Sequence, residues 1–263
     1  MLKSFAGGRL FGTTWGEGVP TVLALHGWRR THFDFVPVFD VAAGERPGPA
    51  HRLAAIGPDL AGFGATPPPP EAWGSDEYAE SLLPLFDEPG VLADRVVVIG
   101  HSFGGRVGVR LAALVPDRIE RLVLTGVPLL DRQGRNSKPA TPYRLVRRLH
   151  RMGLVGEARL KAMQDRYGSP DYRAAQGVMR GVFVRLLAEQ YIEDMAAVDC
   201  PVDLVWGAGD AEVPLEVAER AVDLFPAARL ATLPGVGHLT PTEAPRQLRA
   251  VILGVADPDV RWR

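Results

Sequence analysis

Short apolar runs alternate with longer amphipathic stretches along most of this 263-residue chain. The short runs are apolar at nearly every position, which is typical of strands that are covered on both faces. Alternation of such strands with helices predicts an α/β fold, with a mostly parallel sheet between two layers of helices. The predicted strands are residues 21–25, 52–56, 95–99, 121–124, 202–206 and 229–233.

The amphipathic stretches between these strands predict helices at residues 75–86, 104–115, 214–225 and 241–253. Ser75 is expected to cap the first of them. Thr240 is expected to cap the last, with Pro241 at the first helical position and Glu243 at the capping-box position.

The stretch from about residue 127 to residue 198 breaks the alternation, because its apolar residues recur at helical spacing and it shows no convincing strand. Between Arg132 and Gln190 the chain has 13 Lys and Arg but 4 Asp and Glu, a net charge of +9, against −10 for the rest. This pattern predicts a separate basic helical unit inserted into the sheet domain. Its charge either attracts anionic substrates or lies on solvent-facing helix surfaces.

Composition narrows the class of protein. The chain is 46% hydrophobic and 23% charged, as in ordinary soluble globular proteins. The single cysteine, Cys200, excludes internal disulfides and zinc modules built from several cysteines, and it is expected to be a small buried apolar residue. His32, His51 and His150 lack metal-ligand spacing, so no metal is predicted.

The partners are predicted from charge and hydropathy. A net charge of −1 provides no global field for holding nucleic acid, and no apolar run approaches the length of a membrane span. The first residues lack the apolar core of a signal peptide. We therefore expect a cytoplasmic protein that acts on a small molecule, while its oligomeric state is not predicted.

The sharpest local motif is Gly-His-Ser-Phe-Gly-Gly at residues 100–105, between a predicted strand and a predicted helix. A serine at such a turn adopts a strained conformation that presents its hydroxyl, and glycines are needed on either side because larger side chains would collide. Ser102 is therefore the candidate nucleophile.

A serine hydroxyl needs an imidazole to take its proton and a carboxylate to orient that imidazole. His238 and Asp210 each follow the end of a predicted strand, where open α/β sheets place their ligands. Their order in the chain, Ser then Asp then His, is that of hydrolases with a strand-turn-helix nucleophile. Asp210 is preferred as the orienting carboxylate, with Glu212 and Asp131 as alternatives.

Negative charge that develops on a substrate carbonyl oxygen needs two amide donors. The backbone N–H of Phe103 follows the nucleophile and is one candidate. The other is the backbone N–H of Trp28, in the loop His26-Gly27-Trp28 after an early strand. His26, Gly27 and His101 are expected near the substrate pocket, and His26 is expected to be structural rather than catalytic.

Together these motifs resemble those of α/β-hydrolase-fold serine hydrolases. The His26-Gly27 loop, Asp59-Leu60-Ala61-Gly62-Phe63-Gly64, residues 100–105, Gly207-Ala208-Gly209-Asp210 and Gly237-His238 recur in that family in this order. The resemblance implies a central sheet of about eight strands, a core domain of residues 1–127 and 199–263, and an inserted helical lid of residues 128–198. It also implies Ser102 as nucleophile, His238 as base and Asp210 as its orienting acid, while residues 59–64 form a structural turn.

The resemblance further predicts an esterase-like enzyme that needs no cofactor and cleaves carboxylic esters or thioesters of small to medium size through an acyl-enzyme. Epoxide hydrolases and dehalogenases of this fold have an aspartate nucleophile at the position of Ser102, so the resemblance excludes these two classes. Hydrolases of ring-cleavage products usually have asparagine at the position of His101, so that class is disfavoured. The alternatives are a cofactor-free carbon–carbon bond hydrolase, lyase or perhydrolase with the same triad, or a non-catalytic pocket receptor.

Overall fold

The computed structural model describes residues 1–40, 53–131, 141–159, 162–163 and 169–263. Within these residues, nine strands form one sheet in the order β1-β2-β4-β3-β5-β6-β7-β8-β9. The strands are β1 (Lys3–Phe5), β2 (Leu10–Trp15), β3 (Val22–Leu25), β4 (Ala55–Asp59), β5 (Val96–His101), β6 (Ile119–Thr125), β7 (Val202–Gly207), β8 (Ala228–Leu233) and β9 (Arg261–Trp262). Strands β4, β3, β5, β6, β7 and β8 pair in parallel, while β1, β2 and β9 pair antiparallel at the two sides.

The described α-helices are α1 (Val36–Phe39), α2 (Ser75–Leu82), α3 (Pro84–Asp87), α4 (Phe103–Leu114), α5 (Thr141–Arg151), α6 (Pro170–Ala174), α7 (Gly177–Leu186), α8 (Ile192–Ala197), α9 (Leu215–Ala221), α10 (Thr240–Glu243) and α11 (Pro245–Leu253). The α/β fold and the mostly parallel sheet predicted from the sequence are therefore confirmed.

Five of the six predicted strands begin and end within two residues of the prediction. The exception is β4, which was expected at 52–56 but runs from Ala55 to Asp59. Glycine and proline are typical of strand ends, so the strand was expected to end before Gly57 and Pro58. These two residues instead pair with Thr13 and Gly12 of β2. A Cβ atom on Gly12 would lie 2.1 Å from the Gly57 carbonyl oxygen, so the two backbones approach closely where a side chain is missing.

Strands β1, β2 and β9 were not predicted, because they lie toward the sides of the sheet and lack a continuous apolar run. In β2, Thr13 and Thr14 interrupt the apolar pattern. The central strands do follow the prediction, since all four residues of β3 and all six of β5 are buried.

The predicted cap at Ser75 is wrong. Gly74 precedes the helix, and its backbone N–H donates to the Glu77 carboxylate at 2.8 Å. Ser75 is the first helical residue and is fully buried, where its hydroxyl oxygen accepts from Arg110 Nε at 3.2 Å and contacts the Tyr191 hydroxyl at the same distance. Burial by these tertiary contacts therefore overrides the capping preference of serine.

The predicted cap at Thr240 is also wrong. Leu239 precedes α10, and the Glu243 carboxylate accepts hydrogen bonds from the backbone N–H groups of Leu239 and Gly237. The predicted helix over 241–253 is divided at Ala244, whose φ of −137° and ψ of 52° are not helical. Pro245 explains the break, because a proline disfavours the helical conformation in the residue before it.

Contacts divide the chain into two compact units, and the first contains the sheet. It comprises Met1–Pro68, Gly74–Arg132 and Gln190–Arg263. Helix α8 belongs to this unit because Asp194 forms an ion pair with Arg110 of α4, and Tyr191 contacts Ser75 of α2.

The second unit comprises Pro69–Trp73 and Gln133–Glu189. Within it, Arg185 of α7 donates to the Ala72 carbonyl at 3.0 Å, and Gly181 packs against Ala72. The unit is narrower than the predicted lid of residues 128–198, because residues 190–198 have their contacts in the sheet unit. Part of the predicted lid, residues 132–140 and 164–168 included, lies outside the described residues, and its role as a lid stays a prediction.

Candidate active site

Ser102 lies at the turn between β5 and α4 in a conformation that non-glycine residues rarely adopt. Its φ is 50° and its ψ is −114°. The Ser102 N–H donates to the Thr125 carbonyl at 2.9 Å, and its own carbonyl accepts from Gly105 N–H at 3.1 Å. Hydrogen bonds on both sides thus hold the strained turn, and the serine is half-buried.

The glycines around Ser102 are required by close packing, as the sequence predicted. A Cβ on Gly104 would lie 2.1 Å from the Leu25 carbonyl oxygen at the end of β3. A Cβ on Gly100 would lie 2.4 Å from Gly105 Cα, and one on Gly105 would lie 2.2 Å from a methyl group of Val127. The first turn of α4 therefore packs directly against backbone, which sets the position of the serine.

His238 and Asp210 meet at the same end of the sheet, after β8 and β7. The Asp210 Oδ2 atom lies 2.8 Å from His238 Nδ1, and both side chains are at least nine-tenths buried. The other carboxylate oxygen of Asp210 accepts from the backbone N–H groups of Glu212 at 2.9 Å and Val213 at 2.7 Å. The carboxylate is thereby held in one orientation toward the imidazole.

Two further contacts hold His238 next to the serine turn. The Nε2 atom of His101, the residue before Ser102, donates to the His238 carbonyl at 2.9 Å, and the two rings are 4.9 Å apart. Gly126, which directly follows β6, has a φ of 59° and lies so close to the histidine that a Cβ would be 3.0 Å from its ring. The sequence analysis missed Gly126, although a glycine directly after a strand was a signal for it.

Glu212 and Asp131 were the alternative carboxylates. The Glu212 Oε2 atom lies 3.5 Å from the other ring nitrogen of His238, Nε2, and its side chain is 73% exposed. Asp131 is exposed, and its carbonyl accepts from Arg220. Of the three carboxylates, Asp210 is the one that is buried and lies at hydrogen-bond distance from Nδ1.

Trp28 and Phe103, the two residues with candidate amide donors, are neighbours. Their rings are in edge-to-face contact at 5.6 Å, and both contact Phe63 from the loop after β4. Phe103 is the first residue of α4, so its N–H lies at a helix N-terminus. This end of the helix favours negative charge.

His26 supports the loops around the site. Its Nδ1 donates to the Gly27 carbonyl at 2.8 Å, and its Nε2 accepts from Leu60 N–H at 2.9 Å. The side chain is fully buried, and burial lowers its pKa. Both ring nitrogens of His26 are thus bonded to backbone, which agrees with the structural role expected for it, and its place at a substrate pocket stays a prediction.

The other predicted pocket residues, Gly27 and His101, are also buried. A Cβ on Gly27 would lie 2.9 Å from His101 Nδ1, so the loop after β3 packs on that ring. Burial lowers the pKa of His101 from its ordinary 6.5 to about 4, and the neighbouring His238 adds to the effect. His101 is therefore neutral at physiological pH and links the serine turn to His238.

Asp59 organises the turn at residues 59–64. One carboxylate oxygen accepts from the backbone N–H and ring Nδ1 of His32 at 2.9 and 2.8 Å, and the other accepts from Ala65 N–H. This motif is structural, in agreement with the prediction, and His32 is a satisfied buried residue. His51 lies outside the described residues.

Cys200 and the helix lengths were also addressed by predictions from the sequence. Cys200 is buried, and burial raises the pKa of its thiol, so it behaves as a small apolar residue. None of the helices in the described part of the chain is both long and apolar enough to cross a membrane.

The chain is similar in sequence to known proteins of one family. A family model described as the alpha/beta hydrolase family matches residues 22–251. A pimeloyl-[acyl-carrier protein] methyl ester esterase of Aromatoleum aromaticum is 30% identical over 247 residues, which cover 83% of this chain and 91% of that protein.

Two solved structures have the same fold. A thermophilic esterase from Thermogutta terrifontis is 22% identical, with a TM-score of 0.66 and 97% of each chain covered. The thioesterase domain from the curacin biosynthetic pathway is 19% identical, with a TM-score of 0.67 and 96% of this chain and 98% of that domain covered.

Acid should destabilise the fold through His101. The folded protein holds its pKa near 4, so between pH 6.5 and 4 the unfolded chain takes up the proton first and stability falls with pH. In urea unfolding, wild type is expected to lose about 2 kcal/mol more than His101→Asn between pH 7 and pH 5. Equal losses in the two proteins would contradict this assignment.

Proposed function

The chain belongs to the alpha/beta hydrolase family, and from this premise we propose that it is a serine hydrolase for carboxylic esters or thioesters of small to medium size. The observation that carries the proposal is the buried hydrogen bond between Asp210 and His238, beside the strained Ser102 turn. The descriptions of the esterase and thioesterase relatives support the same class of reaction.

In the proposed first step, Ser102 Oγ attacks the substrate carbonyl carbon while His238 Nε2 takes the serine proton. Asp210 accepts a hydrogen bond from the Nδ1–H group, which keeps the imidazole in the tautomer with a free Nε2. It also stabilises the imidazolium that forms. The negative charge on the carbonyl oxygen is held by the backbone N–H groups of Phe103 and Trp28.

The tetrahedral intermediate then collapses to an acyl-enzyme. The bond to the leaving oxygen or sulfur breaks, and His238 Nε2 gives its proton to the leaving group. In the second half, His238 takes a proton from water as the water oxygen attacks the acyl carbon. The bond between the acyl carbon and Ser102 Oγ then breaks, His238 returns the proton to Oγ, and the acid is released. These steps need no metal or organic cofactor.

Ser102→Ala is expected to lower ester turnover by about 10⁴-fold or more while the fold is retained, because the nucleophilic oxygen is lost and alanine fits the turn. The measurement is hydrolysis of a series of esters and thioesters, with circular dichroism as the control for folding. Labelling by a fluorophosphonate probe should occur in wild type and be absent in the variant. Activity above a tenth of wild type in the purified variant would refute the covalent mechanism.

Asp210→Asn is expected to lower kcat by about 10⁴-fold, because an amide favours the wrong imidazole tautomer. Glu212→Gln, a matched change two residues away, should cost less than about tenfold, because Glu212 does not contact Nδ1. Both variants would be assayed with the same neutral ester. A larger loss in Glu212→Gln would transfer the orienting role to Glu212.

A further inference from the structure

Glu212 brings a second carboxylate to His238, at the ring nitrogen that Asp210 does not contact. Its Oε2 atom is 3.5 Å from Nε2, whereas Asp210 contacts Nδ1. The two carboxylates differ sharply in burial, since the Glu212 side chain is 73% exposed and that of Asp210 is 1% exposed. An exposed carboxylate is ionised at neutral pH and can interact with a group that arrives from solvent.

The turn that builds the His–Asp pair also fixes the position of Glu212. The Glu212 backbone N–H donates to Asp210 Oδ1 at 2.9 Å, and Val213 N–H donates to the same oxygen. The loop therefore wraps around the Asp210 carboxylate and presents the next acidic side chain on the Nε2 side. These hydrogen bonds set the backbone position of Glu212.

Proton transfer from His238 Nε2 determines which part of a substrate would lie near Glu212. In the proposed reaction, Nε2 gives its proton to the leaving oxygen, so that oxygen must come within hydrogen-bond distance of the nitrogen. The atoms attached to the leaving oxygen then lie close to the Glu212 carboxylate. The acyl chain extends from the other side of the carbonyl carbon.

Among the described residues, Arg30 and Asp34 form a charged pair near Glu212. Arg30, from the loop after β3, donates from Nε and Nη2 to both carboxylate oxygens of Asp34 at 2.7 and 2.6 Å. This hydrogen-bonded pairing raises the pKa of Arg30, and the Glu212 charge contributes as well. Because the Asp34 carboxylate balances the charge of Arg30, this pair does not cancel the negative charge of Glu212.

We propose that Glu212 determines charge selectivity for the leaving group, favouring esters whose alcohol carries a cationic amino or ammonium group and disfavouring anionic alcohols. This inference rests on the proposed function, because it uses proton transfer from His238 Nε2. The effect is electrostatic and is strengthened when the substrate displaces water between the two charges.

The test compares a choline ester with the 3,3-dimethylbutyl ester of the same acid, which replaces the charged nitrogen by carbon at almost the same size. The ratio of their kcat/KM values should fall about 3- to 10-fold from wild type to Glu212→Gln at low salt. Glu17→Gln is the matched control, since Glu17 is exposed in the turn between β2 and β3, at the opposite end of the strands. That variant should keep the wild-type ratio.

Salt and an anionic substrate provide independent readouts. The preference of wild type should shrink as salt rises from about 10 mM to about 500 mM, because screening shortens the range of the carboxylate field. An ester of the same acid with a glycolate leaving group should react faster in Glu212→Gln than in wild type.

An unchanged ratio in Glu212→Gln, or the same fall in Glu17→Gln, would overturn the inference. If wild type still hydrolyses the neutral ester and is labelled at Ser102 by a fluorophosphonate, the proposed function survives that result. Absence of both hydrolysis and labelling would instead remove the proposed function, and the inference with it.

Discussion

The contact between the first turn of α4 and the end of β3 is the constraint on which the site depends. Gly104 lies against the Leu25 carbonyl, at a separation that no side chain could occupy. This approach places Phe103, at the N-terminus of the helix, beside Trp28 in the loop after β3. The strained backbone of Ser102 is the conformational cost of the same packing, and hydrogen bonds to Thr125 and Gly105 stabilise it.

The loop that carries His238 is held by hydrogen bonds between its backbone and the side chains of Glu243 and His101. Glu243 accepts from the N–H groups of Gly237 and Leu239, which flank His238. His101 donates to the His238 carbonyl, so the residue before Ser102 also positions the loop that carries His238. These three hydrogen bonds restrict the loop and so help to hold the imidazole in one orientation. General-base catalysis requires such a fixed orientation.

Burial separates the roles of two neighbouring acids. Asp210 is enclosed and takes two backbone N–H donors, so its carboxylate is fixed and faces Nδ1. Glu212 is exposed, and its charge is open to solvent and to whatever approaches Nε2. The same functional group is therefore proposed to orient the histidine in one case and to select the leaving group in the other.

The sequence by itself determined the central strands, the glycine-flanked Ser102, and the order Ser, Asp, His at the ends of three strands, because these depend on local periodicity and on turn chemistry. It did not predict that β4 includes Pro58, that Ala244 divides the last helix, or that Gly126 packs against His238. The sequence favoured Asp210 over Glu212 as the acid that orients His238, although the two residues are only two positions apart. Which of the two carboxylates lies buried against Nδ1 is a property of the tertiary structure, because it depends on how the loops after β7 and β8 pack around the imidazole.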